Sequence, residues 1–348
     1  MGKDRTPAAE ADADLREGLR TCREQLELLS DRYLHGFHFT PFNVRRCRLF
    51  CKQMQELSQP EAYRQLLRGL DEESIACVAA SLSAVQRVAS ELDPEQGGVL
   101  DIYDTEQLRT FDRIHKQFYN QIIQLSKDCW AWQEWLLPVR AFTPEIFYYR
   151  LMLPQLDCAS FASRDIIDAG AFIGDSAVVL SQYTTASVLA FEPLAEHCQL
   201  MQRSITLNGR RNIVPVQLGL GESCGSAWIT ADAASSTLSA AMPLHGADSR
   251  LEHVAVTTLD EYTREHPDLD IGLIKIDVEG LEQPLLRGAR QCIARFRPLL
   301  LISIYHQAGD FFAIKPMLES WDLGYTFKIR RANPANLINE IMLIAEFG

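Results

Sequence analysis

The most constraining stretch of this 348-residue chain is Ile166-Ile-Asp-Ala-Gly-Ala-Phe-Ile-Gly-Asp175. An apolar run meets Asp168, passes through a turn bracketed by Gly170 and Gly174, and enters a helical pattern at Asp175. Glycine has no Cβ, so the backbone can turn tightly and approach another group closely. The helix that follows presents free N–H groups at its positive end. This is the signature of a buried strand feeding a helix in an α/β sheet. It is not G-x-G-x-x-G, and a second glycine pair for a pyrophosphate is missing. Glu192 ends the next predicted strand, where an acidic group can accept hydrogen bonds from both hydroxyls of a ribose. Asp168 then suits an ammonium group. The small molecule that joins an adenosine to an amino acid is S-adenosylmethionine.

The rest of the chain divides around this motif. Residues 1–14 read as a disordered lead-in and 15–140 as an all-helical region of four to six helices. Apolar residues recur there every three to four positions, from Leu15 to Leu29, after Pro41, after Pro60, and from Ile75 to Leu92. A long helix is predicted from Thr105 to about Trp135, and no strand is expected before residue 140. Trp130, Trp132 and Trp135 are expected to pack against the second domain, with a homodimer seam through the N-terminal helices or the lining of an acceptor site as the alternatives. From Arg164 onward short β-rich runs alternate with helical ones, which predicts a parallel sheet covered on both faces. Strands are expected at 165–169, 187–191, 212–218, 254–257, 271–277 and 298–303. Two closing strands, 325–329 and 337–345, have no helix between them and suggest an antiparallel hairpin. Thr258 and Glu261 have capping-box spacing. The Ser/Ala-rich stretch Ala231–Arg250 is long for a loop and reads as a lid or mobile segment.

The segments IIDAGAFIGDSAVVL, VLAFEPLAEHCQLMQRSITLN, VAVTTLDEY, LIKIDVEGLEQPLLRGA and RPLLLISIYHQAGDFFAI resemble the FkbM family of S-adenosylmethionine-dependent methyltransferases, over about residues 147–346. The resemblance implies a class I methyltransferase (Rossmann-like) fold in residues 147–348: a seven-stranded sheet with the final strand antiparallel. It also implies methylation of a hydroxyl on a sugar, glycan or secondary metabolite. Asp168, Gly170, Gly174 and Asp175 are then assigned to the cofactor turn, lined by Phe172 and Ile173. Glu192 goes to the ribose, and Leu218 and Gly219 flank the adenine.

Two further blocks carry candidate chemistry. In Lys275-Ile-Asp277-Val-Glu279-Gly280, Asp277 ends a strand whose carboxyl end faces the ligand crevice of such sheets. Asp277 or Glu279 can take or orient the acceptor's proton. In Ser303-Ile-Tyr305-His306, His306 is proposed as general base, because histidine titrates in the useful range, and Tyr305 as a wall of the pocket. Ser235, Ser236 and Thr237 are candidates for acceptor recognition. A divalent metal is not favoured, since no further carboxylate or histidine clusters there in sequence. The competing readings are a peptide or protein methyltransferase and a non-catalytic cofactor-binding scaffold that works through its helices.

Composition closes off other classes. The net charge is −12, from 34 basic and 46 acidic residues, and both the first 150 residues and the remainder are acidic. Such a balance repels a phosphate backbone, so no nucleic-acid partner is expected. No run approaches the ~18 apolar residues of a membrane span. The polar N-terminus lacks an apolar signal core, which predicts a cytoplasmic protein. The nine cysteines are scattered without C-x-x-C and read as reduced, packed thiols rather than a zinc site.

Overall fold

A computed structural model of the protein describes residues 38–57, 59–230, 237–239 and 251–347. The lead-in, the first predicted helix, Ser235 and Ser236 lie outside the described residues. The expected seven-stranded sheet forms. Its strands are β1 (Asp165–Ala169), β2 (Val188–Phe191), β3 (Ile213–Val216), β4 (Ile271–Ile276), β5 (Leu299–Ser303), β6 (Tyr325–Arg331) and β7 (Ile341–Phe347), laid side by side as β6-β7-β5-β4-β1-β2-β3. Strands β3, β2, β1, β4 and β5 run parallel. β7 enters antiparallel between β5 and β6. Every residue of Ile-Gly-Leu-Ile-Lys-Ile in β4 is buried, as a central parallel strand covered on both faces requires.

Alternate residues feed two cores. Ile167, Ile274, Ile276, Leu300 and Ile302 face one side, together with Val44, Phe50, Leu66, Val78 and Val85 from the N-terminal helices Pro41–Glu56, Gln59–Leu67 and Glu72–Glu91. Ile166, Leu273, Leu299 and Leu301 face the other, with Phe118, Trp132, Trp135 and Phe147. The N-terminal region therefore shares its cores with the sheet. Polar ties reinforce the docking. Asp71 caps its helix by accepting from the Ser74 N–H at 2.8 Å and also receives Arg330 of β6 at 2.7 Å. The buried ammonium of Lys315 donates to the carbonyl of Arg68 at 2.7 Å and pairs with Glu319, satisfying a carbonyl where the helix Gln59–Leu67 ends.

The long helix predicted from Thr105 is shorter than its periodicity suggested. It runs Thr105–Gln117, opened by a reciprocal capping box between Asp104 and Gln107. The segment beyond forms a three-stranded antiparallel meander, Ile123–Ser126, Cys129–Trp132 and Trp135–Leu137. A short two-residue strand pair, His38–Phe39 with Gly98–Val99, also precedes residue 140. The meander was hidden because its tight turn places Gln133, not glycine or asparagine, at φ +50°, so the usual hairpin signal is absent. Trp132 and Trp135 face each other across that turn and are buried; they pack inward.

Past β3, Gly219–Leu220, Gly225–Thr230, Thr237–Ser239 and Leu251–Thr257 make a second, four-stranded sheet, of which the sequence suggested only the end of the last strand. Thr258 does cap the helix Leu259–Glu265, accepting the Glu261 N–H at 3.0 Å. The Glu261 carboxylate pairs with Arg264 instead of closing the box. Among the described residues no helix is long and apolar enough to cross a membrane. The eight described cysteines are free thiols, and burial pushes those of Cys47, Cys198 and Cys292 up to about 12.

Candidate functional site

The glycine turn leaves β1 at Ala169 and folds back on β2: the N–H groups of Gly170 and Ala171 both donate to the Phe191 carbonyl, at 3.1 and 3.0 Å. Gly170 has φ +77° and Gly174 φ +80°. A Cβ on Gly170 would lie 1.9 Å from the Asp277 carbonyl oxygen, and one on Gly174 would lie 2.7 Å from the Met201 side chain. These glycines bring the turn against the end of β4 and against the helix Ala195–Leu207. Glu192 completes the tie. Its Oε2 accepts the Phe172 N–H at 3.1 Å, while Oε1 accepts the Leu194 N–H at 3.0 Å and meets His197 Nδ1 at 3.1 Å. Phe172 is half-buried, its ring edge-on to His197 at 4.6 Å.

Beneath the turn lies a layer of buried charge. Lys275 of β4 stands opposite Asp168 of β1 in the parallel register. Its Nζ is 3.2 Å from Asp168 Oδ1 and donates to the Gly170 carbonyl at 2.9 Å. Ser176 Oγ donates to Asp168 Oδ2 at 2.6 Å. Burial pushes Asp168 upward and Asp175 up to about 7. Burial also opposes charge on Lys275, but Asp168, Asp277 and Asp175 outweigh it and hold its pKa above the ordinary value. The lysine is a structural cation.

This geometry corrects part of the sequence assignment. Asp168 is fully buried and meets the ammonium of Lys275, not that of a ligand. Asp175 is buried beside it, accepting the Ser176 N–H. Ile173 is fully buried core. Gly219 pairs in register with Val256, leaving half-buried Leu218 at the end of β3. Phe172 and Leu218 are half-buried, whereas Glu192 is buried and held by its hydrogen bonds.

At the carboxyl ends of β4 and β5 the structure gathers four titratable side chains. His306 Nδ1 lies 2.9 Å from Glu282 Oε1, which also accepts the Val278 N–H at 3.0 Å. On the opposite edge of the ring, Nε2 is 3.5 Å from both Asp277 Oδ1 and Glu279 Oε2. The side chains of His306 and Glu282 are 6% and 0% exposed, against 29% for Asp277 and 42% for Glu279. Burial disfavours charge on His306, yet Glu282, Glu279 and Asp277 together push it up to about 10. Glu279 has φ +55° and is followed by Gly280 at φ +93°. A glutamate in the left-handed region is uncommon; here that conformation accompanies a carboxylate turned toward the imidazole.

Tyr305 is mostly buried: its hydroxyl donates to Glu340 Oε1 at 3.2 Å, and the Arg46 guanidinium lies 5.5 Å from its ring centroid. Thr237 belongs to a strand paired with Gly225–Thr230. The sequence reading missed Glu282, Lys275 and Arg46. Glu282 had a local signal, lying in the same block as Asp277, but its partner is 24 residues away. Lys275 opens that same block, but nothing local tied it to Asp168, and nothing local marked Arg46.

Residues 168–331 match the model of the methyltransferase FkbM domain. Over 202 residues the chain is 27% identical to Methyltransferase 1 of Beauveria bassiana (strain ARSEF 2860), covering 52% of this chain and 80% of that protein. Among solved structures, the FkbM methyltransferase of Methylobacillus flagellatus KT superposes with a TM-score of 0.52 at 20% identity, over 84% of this chain. The matched part is 60% of that bacterial chain.

Proposed function

We propose that this chain, whose residues 168–331 match the FkbM methyltransferase domain, moves a methyl group from S-adenosylmethionine to a hydroxyl of a sugar, glycan or secondary metabolite. The observation that carries this reading is the meeting of Asp277, Glu279 and His306 beside the glycine turn. Transfer to oxygen needs a group that accepts the acceptor's proton.

The donor set of the crevice suits the cofactor. Glu192 Oε2 takes one backbone N–H and so retains a lone pair for a ribose hydroxyl. The half-buried ring of Phe172 and the side chain of Leu218 offer apolar surface for the base. Bound S-adenosylmethionine supplies a methyl on a sulfonium, whose sulfur keeps the C–S electron pair as the new C–O bond forms. The chain's own residues align and deprotonate. Alignment of an acceptor against a donor is a large rate effect in itself.

The proton goes to a carboxylate in this reading, which exchanges the roles expected from the sequence. Asp277 and Glu279 are the exposed members of the cluster, and His306 lies behind them with both ring nitrogens facing carboxylates. An acceptor entering from solvent meets the carboxylates first. His306 is then a positioning residue that fixes the pair, and the proton moves from the acceptor oxygen to an oxygen of Asp277 or Glu279. Such general-base help is typically worth ~10²–10⁴-fold.

Titration calorimetry with S-adenosylmethionine and S-adenosylhomocysteine tests the cofactor half. Glu192→Ala is expected to weaken both by roughly 10–100-fold, the size of a lost charged hydrogen-bond set. An acceptor screen beginning with sugars tests the other half. Absence of binding by the wild-type protein would sink the enzymatic reading and favour a scaffold working through the N-terminal helices.

A further inference from the structure

We propose that His306, Asp277 and Glu279 form a binding site for one divalent transition-metal ion. His306 Nε2, Asp277 Oδ1 and one oxygen of Glu282 are buried and make no hydrogen bond among the described residues. An imidazole with 6% of its side chain exposed rarely leaves a ring nitrogen idle; this one is aimed between two carboxylate oxygens, each 3.5 Å away. Two donors at that separation, each about 2.1 Å from a common ion, subtend a near-tetrahedral angle there. A looser grouping of donor atoms, one each from Asp277, Glu282 and His306, lies within 4.8 Å of one another; Glu279 stands outside it and, as the exposed member of the cluster, closes onto the ion when it binds.

The other edge of the ring supports the same assignment. A ligating histidine almost always gives its second N–H to a carboxylate or carbonyl, which fixes its tautomer and orientation. Glu282 does this here: it is fully buried, 2.9 Å from Nδ1, and is itself held by the Val278 N–H. Nδ1–H is donated to Glu282, and an ion that displaces the proton on Nε2 takes the lone pair on the edge facing Asp277 and Glu279. One imidazole with two carboxylates, open to solvent on the carboxylate side, matches Mn²⁺, Fe²⁺ or Zn²⁺ better than Ca²⁺, which takes oxygen ligands alone.

The site lies at the ends of β4 and β5, where the acceptor hydroxyl would arrive. The chemistry an ion supplies there is acidification of a bound hydroxyl, and that role rests on the proposed methyl transfer; the binding itself does not. Electron paramagnetic resonance of Mn²⁺ added to the full chain therefore reads the site without any turnover. The expected result is one bound Mn²⁺ per chain, displaced by Zn²⁺ but not by Ca²⁺. His306→Gln should abolish binding. Glu279→Gln, at the most exposed position of the cluster, should keep the fold and bind about 10–100-fold more weakly. Glu192→Ala should bind Mn²⁺ like the wild type while losing S-adenosylmethionine, so the metal and cofactor readings fail separately. No Mn²⁺ binding below millimolar concentration, or equal binding by wild type and Glu279→Gln, overturns the proposal.

Discussion

Lys275→Met is expected to lower stability by about 3–5 kcal/mol, the cost of leaving buried charge without its partner. The substitution has nearly the right length and apolar character, so packing changes little and the loss reports on electrostatics. Asp168 and Asp175 are both buried, and Lys275 is the cation among them. It also holds the Gly170 carbonyl, so cofactor affinity should fall with stability. Urea unfolding measures the first effect and calorimetry the second. The double variant Lys275→Met with Asp168→Asn should recover part of the stability, because groups in contact are not additive. If the double variant is no more stable than the single one, the cation's role is not charge balance.

Gly170→Ala is expected to damage the protein more than its backbone angle alone can explain. A non-glycine residue in the left-handed region costs about 1–2 kcal/mol. Gly209 provides the control: its φ is +60° and a Cβ there meets nothing within 4 Å. Gly209→Ala should therefore show only the conformational cost. At Gly170 the added carbon lies 1.9 Å from the Asp277 carbonyl oxygen. Backbone cannot swing aside as the tip of a flexible side chain can, so the turn must lift from β4 and carry the crevice with it. The expected outcome is loss of cofactor binding and a fall in Tm several times that of Gly209→Ala. Equal falls for the two variants would remove the close approach from the account.

The parts legible in the sequence are those whose physics is local. The glycine turn, the acidic end of β2 and the unbroken apolar run of β4 each announce themselves within about ten residues, and the sheet followed from their alternation. Relations across the sheet did not. Asp168 reads as a ligand-facing carboxylate until β4 sets Lys275 beside it, 107 residues later in sequence. His306 reads as a free base until three carboxylates surround it, 24 to 29 positions upstream. The meander around Trp132 and Trp135 imitates helix periodicity and lacks glycine at its turn. Polarity and period are sequence properties, whereas burial and pairing belong to the fold.

The docking of Glu72–Glu91 against β6 also has a temporal side. The Ser74 hydroxyl that accepts the Ile329 N–H lies 255 residues before its partner. At a synthesis rate of about 5–20 residues per second, the helix leaves the ribosome roughly 13–50 s before the strand that covers it exists. Val78, Val85 and Val88, all buried in the finished molecule, spend that interval without their final neighbours. Contacts so distant in sequence are also slow to close. Those apolar side chains therefore wait for their final cover until β6 has been made.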